Sequence, residues 1–223
     1  MIDFHAHVLP RCDHGSDGIE TSLKQLRLAK EAGVQTVIAT PHFYPDHDRF
    51  PEFLARRERT YAALMEQHSG LPEVRVGCEV NLCPGLDHLE GIEQACVQGT
   101  KVILLEMPYE YWSSSLEETM LRFLEDSGLV PVLAHVDRYD PDRIEHLLRL
   151  GFLAQLNAEC FSTLRGRRQK FDWIDRGSVV ALGSDIHGVK PGYAEFTHAL
   201  KVLKDRADVI FRRTEQLLEE NRI

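Results

Sequence analysis

The amino-terminal stretch Met1-Ile-Asp-Phe-His-Ala-His7 carries the most informative local pattern in the chain. Side chains alternate along a β-strand, so Asp3, His5 and His7 would share one face. Two imidazoles at positions i and i+2 that point the same way can hold one metal ion. The alternative is a strand whose polar residues face solvent, but at the start of a buried parallel sheet such groups would need partners. The stretch therefore favours a first strand that carries the metal ligands His5 and His7.

Short β-rich runs alternate with amphipathic helical stretches along the rest of the sequence. The predicted strands cover residues 2–7, 34–39, 74–79, 102–106, 130–134, 153–157 and 179–183. The predicted helices begin near residue 19 and then cover 51–69, 86–96, 115–127, 142–150, 164–176 and the remainder from about 193. Seven β-then-α units predict an α/β protein with a parallel sheet, and periodicity alone leaves open whether that sheet is flat or closed into a barrel.

Histidine and carboxylate residues recur where these predicted strands end. They are His42, Glu79, Glu106, His135, Asp185 and His187. A single residue of this kind at a strand end is more often a hydrogen-bonded loop residue. Five strands contribute one or more of them, and the first strand adds His5 and His7. Six contributing strands favour a barrel, because the carboxyl ends of barrel strands meet at one rim. Imidazole and carboxylate ligands without thiolate suit Mn, Fe or Zn.

Two or three such metal ions close together can activate a bridging water and polarise a phosphoryl oxygen. The sequence therefore predicts a metal-dependent phosphoesterase that attacks the phosphoryl group with metal-bound hydroxide, with His42 in both a ligand and a catalytic role. Arg138 lies three residues after His135 and can reach the same rim, where a guanidinium would bind phosphate through two hydrogen bonds. The alternative for Arg138 is a surface ion pair with Asp137 or Asp140.

Composition narrows the class of protein. The chain has 223 residues, of which 43% are hydrophobic and 27% charged, and these values predict one globular domain over 1–223. The net charge of −9 argues against a non-specific nucleic-acid binder. Five cysteines without a C-x-x-C pair fit a reducing compartment. With ligands directly after Met1 and no long apolar run, we expect a cytoplasmic protein without membrane insertion.

The sequence resembles the PHP (polymerase and histidinol phosphatase) superfamily. Within it, the chain is similar to the manganese-dependent protein-tyrosine phosphatases encoded with bacterial capsular and exopolysaccharide genes. The matching segments are Met1 to His7, Thr40-Pro-His42, Gly77-Cys-Glu79, Leu105-Glu106, Leu133-Ala-His-Val-Asp-Arg-Tyr139, Gln155-Leu-Asn157 and Ser184-Asp-Ile-His187. The resemblance implies a distorted (β/α)7 TIM-like barrel with two to three divalent ions, manganese first and iron or zinc next. It also implies that the substrate is a phosphotyrosine segment of an autophosphorylating bacterial tyrosine kinase.

One position departs from the pattern of that family. Its members usually have Asp-Asp-Gly after the first strand, with the second Asp on a metal, whereas this chain has Asp13-His14-Gly15. His14 is predicted to take the ligand position, because an imidazole can also coordinate. The alternatives are that Asp13 turns towards the metal or that the third metal is loosely held.

Aromatic residues follow the second and fourth predicted strands and could wall a groove for an aromatic phosphoester. They are Phe43, Tyr44, Tyr109, Tyr111 and Trp112, of which Phe43 and Tyr109 are predicted to contact the substrate. Aromatic residues in such loops more often pack over helix ends.

Two other functions remain open at this point. One is a small-molecule phosphatase of the same superfamily, such as a histidinol-phosphate phosphatase. The other is a non-catalytic regulator that binds a kinase through a degenerate site, for which His14 would be the first sign. A cysteine-nucleophile phosphatase is disfavoured, since none of the five cysteines is followed by an arginine six residues later.

Overall fold

Parallel strands and helices alternate along the chain in the computed structural model, which describes residues 1–109, 112–190 and 192–223. The strands are β1 (Ile2–Ala6), β2 (Thr36–Ala39), β3 (His42–Phe43), β4 (Glu73–Val76), β5 (Glu79–Asn81), β6 (Val102–Glu106), β7 (Val130–Leu133), β8 (Leu153–Asn157) and β9 (Val179–Gly183). The α-helices are α1 (Ile19–Glu31), α2 (Phe50–Met65), α3 (Ser114–Glu125), α4 (Pro141–Leu150), α5 (Arg167–Asp175), α6 (Ala194–Leu203) and α7 (Asp205–Glu220). Short 3₁₀ helices cover Leu86–His88, Ile92–Ala95, Val136–Arg138 and Ala158–Phe161.

The nine strand segments occupy seven positions, because two strands are interrupted and then continue. β1, β2 and β4 form one parallel sheet, and β3, β5, β6, β7, β8 and β9 form the other in that order. β2 continues into β3 after the break at 40–41, and β4 continues into β5 after the break at 77–78. Backbone hydrogen bonds across the breaks, from Gly77 to Ala39 at 2.8 Å and from Glu79 to Pro41 at 3.1 Å, join the two sheets.

The last strand returns to the first. The Asp185 N–H donates to the His5 carbonyl at 2.7 Å, and the His7 N–H donates to the Ile186 carbonyl at 3.2 Å. Ala6 and Ile186 form an isolated parallel bridge. The strand order therefore closes on itself, and the predicted α/β fold, a distorted (β/α)7 barrel, is confirmed.

Sequence signals define both ends of helix α4, which follows the segment that carries His135 and Arg138. The Asp140 carboxylate accepts hydrogen bonds from two N–H groups of the first turn, and Pro141 occupies the first helical position. Gly151 ends the helix with a φ of 107°, a left-handed conformation that favours glycine. Apolar side chains on one face of the helix are buried, so the loop before it is held against the core.

Two predicted elements differ from the structure. The stretch 86–96 contains two 3₁₀ turns in place of a helix, because Gly85 and Gly91 both have left-handed backbones, with φ of 81° and 79°. The predicted carboxyl-terminal helix is two helices, which meet at Lys204, whose φ is 53°. Within the described residues, none of the helices has both the length and the apolar character that a bilayer crossing demands.

Candidate metal centre

Histidine and carboxylate side chains converge in three overlapping groups at the carboxyl ends of the strands. Within each group, one possible ligand atom per residue lies within 4.8 Å of the others. The groups are His5, His7, Glu79 and Asp185; His42, Glu79 and Glu106; and His7, His42 and His187. Residues that lie up to 180 positions apart in the sequence are thus brought to one place, as the strand-end pattern predicts.

Glu79 lies at the centre of this arrangement and is fully buried. Its Oε2 atom is 3.0 Å from His5 Nε2, 3.2 Å from His7 Nε2 and 3.0 Å from His42 Nδ1. Its Oε1 atom is 2.8 Å from His135 Nε2. Burial alone would raise the pKa of the carboxyl, but the charges and hydrogen bonds of His5, His135 and His7 hold that pKa well below its usual value. Glu79 is therefore an ionised group that can bridge more than one cation.

The hydrogen bonds of His5 and His7 indicate which nitrogen atoms are free. His5 Nδ1 is 3.2 Å from Gln155 Oε1, and His7 Nδ1 is 2.7 Å from Asp13 Oδ2. Because both partners are acceptors, each Nδ1 carries a proton, and the Nε2 atoms are the ones directed towards Glu79 and Asp185. The two Nε2 atoms lie only 3.0 Å apart. Neighbouring ionised carboxylates attract positive charge to these nitrogens, as the raised pKa of His7 shows, so these residues fit a bound cation that would replace the protons.

Further atoms in the three groups lack a hydrogen bond. Among the described residues, Glu79 Oε2, His42 Nδ1 and His187 Nε2 are buried polar atoms that make no well-directed hydrogen bond, although Glu79 Oε2 and His42 Nδ1 lie 3.0 Å apart. Buried polar atoms are normally satisfied, and several exceptions together need an explanation. Metal coordination would satisfy all three.

The electrostatics of the remaining imidazoles agree with this interpretation. Burial lowers the pKa of His42 to about 3, despite the nearby Glu79 charge, so this ring is neutral and offers a lone pair at physiological pH. Burial also acts to lower the pKa of His135, but hydrogen bonds with Glu106 and Glu79 outweigh it and raise that pKa to about 9. Two carboxylates around His135 thus attract a positive charge, which a metal ion would supply in place of the proton.

Backbone strain occurs at two of these residues. His135 has φ of 29° and Asp185 has φ of 50°, the left-handed region that non-glycine residues rarely occupy. Each such residue costs about 1–3 kcal/mol, and such strain tends to cluster at functional sites. The Asp185 Oδ2 atom is held by the amide of Asn157 at 2.9 Å, which fixes the direction of its carboxylate.

Two glycines make room for the histidine ligands. A Cβ atom on Gly183 would lie 2.5 Å from His5 Cβ and 2.7 Å from Gln155 Nε2. A Cβ atom on Gly15 would overlap both His7 Cβ and the His7 carbonyl oxygen. These glycines are required for the close approach of neighbouring chain segments to the two ligands.

Three polar residues orient the ligands, a role that the sequence analysis did not predict; it considered Asp13 only as an alternative metal ligand. Asp13 and Gln155 orient His7 and His5, and Asn157 links the Gln155 amide at 2.8 Å to Asp185. Gln155 and Asn157 lie at alternate positions of the otherwise apolar strand Leu153–Asn157, and this alternation was the available signal. Nothing in the sequence indicated that the Asp13 carboxylate would face His7.

Replacing Gln155 by methionine should weaken metal binding by about 10–100-fold, the usual effect of losing a group that orients a ligand. Gln155 Oε1 also accepts the His135 N–H at 2.7 Å, so the variant leaves two donors without a partner. Metal affinity measured by titration of the apo protein checks this expectation. Gln67→Met, at an exposed position beyond helix α2, is the matched control. Unchanged affinity in Gln155→Met would show that Gln155 does not orient the ligands.

A cavity of about 390 Å³ opens over the donor groups. Its wall consists of His14, His42, Tyr44, Glu106, Tyr109, Arg138, Asp185 and His187. Tyr44 stacks on His42 with ring centroids 5.1 Å apart, and Tyr109 is 62% exposed with its ring parallel to that of His135 at 6.4 Å. Two aromatic faces therefore border the donor groups.

Arg138 extends over the same cavity and is partly exposed. Its Nη2 atom is 2.6 Å from Asp185 Oδ2 and 3.2 Å from Glu159 Oε1, and its Nη1 atom lies 3.5 Å from the Tyr109 hydroxyl. The pKa of Arg138 is raised, because the charge of Asp185 outweighs the effect of burial. The alternative of an ion pair with Asp137 or Asp140 is not realised, and the charged partners of Arg138 are Asp185 and Glu159.

The prediction that Phe43 contacts the substrate is wrong. Its side chain is 1% exposed and packs against Phe50 and Phe53, with ring centroids 4.9 and 5.0 Å away. His42 and Phe43 are neighbours on strand β3, so they point to opposite sides. Trp112 is also largely buried, with its indole N–H donating to the Pro108 carbonyl at 2.8 Å, and Tyr111 lies outside the described residues.

His14 reaches the centre but is outside the three convergent groups. Its ring centroid is 4.8 Å from that of His42 and 4.6 Å from that of His187. Asp13 is not available as a substitute ligand, because its Oδ2 atom contacts His7 Nδ1 and accepts the His42 N–H at 3.0 Å, while Oδ1 accepts the Gly15 N–H at 2.9 Å.

Comparison with known proteins agrees with this geometry. The capsular polysaccharide synthesis family CpsB/CapC matches residues 1–222. The tyrosine-protein phosphatase YwqE of Bacillus subtilis is 26% identical over 92% of this chain and 84% of its own length. The tyrosine-protein phosphatase CpsB of Streptococcus pneumoniae is 26% identical over 87% of each chain.

The fold is also found among solved structures. A crystal structure from work on Bacillus subtilis YwqE and Streptococcus pneumoniae CpsB, described there as metal-dependent tyrosine phosphatases, superposes with a TM-score of 0.81. It covers 100% of this chain and 96% of its own, at 24% identity. Since the family match extends over nearly the whole sequence, the chain belongs to the capsular polysaccharide synthesis family CpsB/CapC.

Proposed function

We propose that the protein is a metal-dependent phosphatase that hydrolyses phosphotyrosine in a bacterial tyrosine autokinase of capsule or exopolysaccharide synthesis. One observation carries the proposal. Three donor groups lie at the base of a cavity whose wall contains a guanidinium and two tyrosine rings. Each pair of these groups has one residue in common, which is Glu79, His7 or His42. Cations, a phosphate-binding fork and aromatic surface in one place suit an aryl phosphate.

The donor groups would hold two to three divalent ions. His5, His7, Glu79 and Asp185 would hold one, and Glu106, His135 and Glu79 a second, while His42 and His187 face a third position with His14 beside them. The mixture of carboxylate and imidazole favours manganese, with iron or zinc as alternatives. When bound, such ions ionise water near neutral pH and polarise a phosphoryl oxygen.

Arg138 supplies the fixed positive charge on the substrate side. Its guanidinium lies beside the donor groups and remains partly exposed, so a phosphate that displaces the exposed Glu159 carboxylate can accept two parallel hydrogen bonds from it. Asp185 and Glu159 hold the guanidinium in place before the substrate arrives, which reduces the reorganisation needed during the reaction.

The leaving group explains why an aryl phosphate suits this site even though His42 cannot act as the proton donor. Tyrosine leaves as a phenolate whose pKa is about 10, so it requires less protonation than an aliphatic alkoxide. His42 was predicted to act in catalysis. Because its pKa is about 3, its ring is neutral at physiological pH and cannot donate a proton. We therefore assign His42 the role of a ligand, and Tyr44 and Tyr109 the role of packing against the substrate ring.

A cytoplasmic location is part of the proposal. The five cysteines are all free thiols, which fits a reducing compartment. In the cytoplasm, the protein could bind a kinase segment that carries phosphotyrosine.

With Mn²⁺ present, kcat/KM should be at least about tenfold higher for a phosphotyrosine peptide than for the same peptide with phosphoserine or for histidinol phosphate, since aromatic contacts contribute about 0.5–1.5 kcal/mol each. Steady-state kinetics on the three substrates measures this. Tyr109→Ala should reduce the preference, whereas Tyr61→Ala, in helix α2, should not. Faster turnover of histidinol phosphate would support the small-molecule phosphatase, and kinase binding without turnover would support the regulator.

A further inference from the structure

The strand that carries Glu79 is interrupted directly before this residue. β4 ends at Val76 and β5 begins at Glu79, so residues 77–78 connect two strand segments that lie in different sheets. Within β5, Glu79 pairs in register with His42 of β3. The course of the backbone through this two-residue break therefore sets the point from which the Glu79 carboxylate extends towards the donor groups.

A guanidinium from helix α2 contacts both residues of the break. Arg57 Nη1 is 3.0 Å from Cys78 Sγ and 2.8 Å from the Gln94 carbonyl, which lies in the 3₁₀ helix Ile92–Ala95. The same nitrogen is 3.4 Å from the Gly77 carbonyl. Its two N–H bonds are thus shared among three acceptors, of which the Gly77 carbonyl is the most distant. Arg57 therefore ties the break to the segment that follows β5.

The charge of Arg57 is buried, and its carboxylate partner is not. The residue is 7% exposed, whereas the side chain of Glu58, 2.8 Å away, is 57% exposed. Burial raises the pKa of Cys78 to about 12, so this thiol is neutral and does not compensate the guanidinium. Replacing a buried ionic group by an apolar side chain of similar volume is often neutral or stabilising. Stability of the fold alone therefore does not account for a guanidinium at this place.

We infer that Arg57 is a positioning residue, which holds the break at 77–78 and thereby fixes the Glu79 carboxylate among the imidazoles that face it. Glu79 Oε2 lies 3.0–3.2 Å from three imidazole nitrogens, so a shift of the backbone before Glu79 would disturb several contacts at once. This role rests on the proposed metal-dependent function, and it belongs to a residue outside the three donor groups.

A double-mutant cycle with Glu79→Gln tests this role through Mn²⁺ affinity, measured by titration of the apo protein. Arg57→Met should weaken the affinity by about 10–100-fold, as expected when a metal ligand loses its support. In the Glu79→Gln background, the same substitution should cause a further loss of less than about threefold, because its effect passes through Glu79. A merely structural role of Arg57 would give equal losses in both backgrounds.

Arg213→Met is the matched control. The guanidinium of Arg213 also donates to two backbone carbonyls, those of Ile174 and Val179. Val179 begins β9, however, and so lies at the end of the barrel opposite to the ligands. This variant should retain the Mn²⁺ affinity of the wild type, whatever its effect on the melting temperature.

Arg57→Lys provides a second variant if Arg57→Met does not fold. Lysine keeps the positive charge but lacks the planar fork that contacts the three acceptors together. We expect the same coupling to Glu79→Gln, with a smaller loss of affinity.

Equal losses in the two backgrounds would overturn the inference. Wild-type affinity in folded Arg57→Met, or in Arg57→Lys where that variant replaces it, would do so as well. The proposed function fails separately. Coupled loss of affinity without turnover of phosphotyrosine by the wild type would refute the function alone, and a wild-type protein that binds no Mn²⁺ would refute both.

Discussion

Glu79→Gln is expected to lower kcat on a phosphotyrosine peptide by at least about 1000-fold, the upper range for loss of one preorganised electrostatic group. Both oxygen atoms of Glu79 face imidazole nitrogens at 2.8–3.2 Å, and the residue belongs to two of the three donor groups. Glutamine keeps the shape of the side chain but offers one neutral oxygen and an N–H₂ group that cannot coordinate. The variant should therefore lose bound metal as well as rate.

The charge of Glu79 also affects the apo protein. His5, His135 and His7 hold the pKa of this buried carboxyl far below its usual value, so the carboxylate is stabilised by them and stabilises them in turn. Without the negative charge, the facing nitrogens of His5 and His7 at 3.0 Å lose part of their compensation. We therefore also expect metal affinity to decrease by at least about 100-fold.

The measurements are metal content after dialysis and kcat at saturating Mn²⁺. Wild-type protein after exhaustive chelation provides the baseline, and Glu31→Gln, at the exposed end of helix α1, is the matched control. A Glu79→Gln variant that retains full metal content and loses less than about tenfold in kcat would remove Glu79 from the centre.

The convergence of these ligands followed from local sequence patterns. In strand β6, four apolar residues precede Glu106, a pattern typical of a strand buried on both faces that ends in a polar side chain. The same pattern places His135 after β7 and Asp185 after β9. Since parallel strands expose their carboxyl ends on one side, the sequence alone predicts that such residues meet.

Other features depend on contacts that a linear pattern does not contain. Whether Phe43 faces the cavity or the core depends on the register of a two-residue strand beside β5, and it packs with Phe50 and Phe53 from α2. The role of Asp13 arises from a loop that brings it 2.7 Å from His7. The helix predicted over 86–96 does not form as one element, because the left-handed backbone at Gly91 interrupts it.

Arg138→Ala should lower kcat/KM for a phosphotyrosine peptide by about 100–1000-fold, because the fixed positive charge that receives the phosphate is lost. Arg138→Lys should recover little of this loss, since an ammonium cannot form two parallel hydrogen bonds from one plane. Steady-state kinetics and inhibition by inorganic phosphate measure the effect. Arg149→Ala, an exposed position of α4 whose side chain contacts Glu145, is the control.

Two roles of Arg138 are separable, because its guanidinium is only 2.6 Å from Asp185 Oδ2. If Arg138 served merely to position Asp185, Arg138→Ala would lose bound metal and leave inhibition by phosphate unchanged in the metal-loaded fraction. If it binds the phosphoryl group, metal content persists while phosphate inhibition weakens by about 10–100-fold, as expected for a lost charged hydrogen bond of about 1.5–3 kcal/mol. We expect the second result, since the Asn157 amide holds the same Asp185 oxygen at 2.9 Å without the arginine.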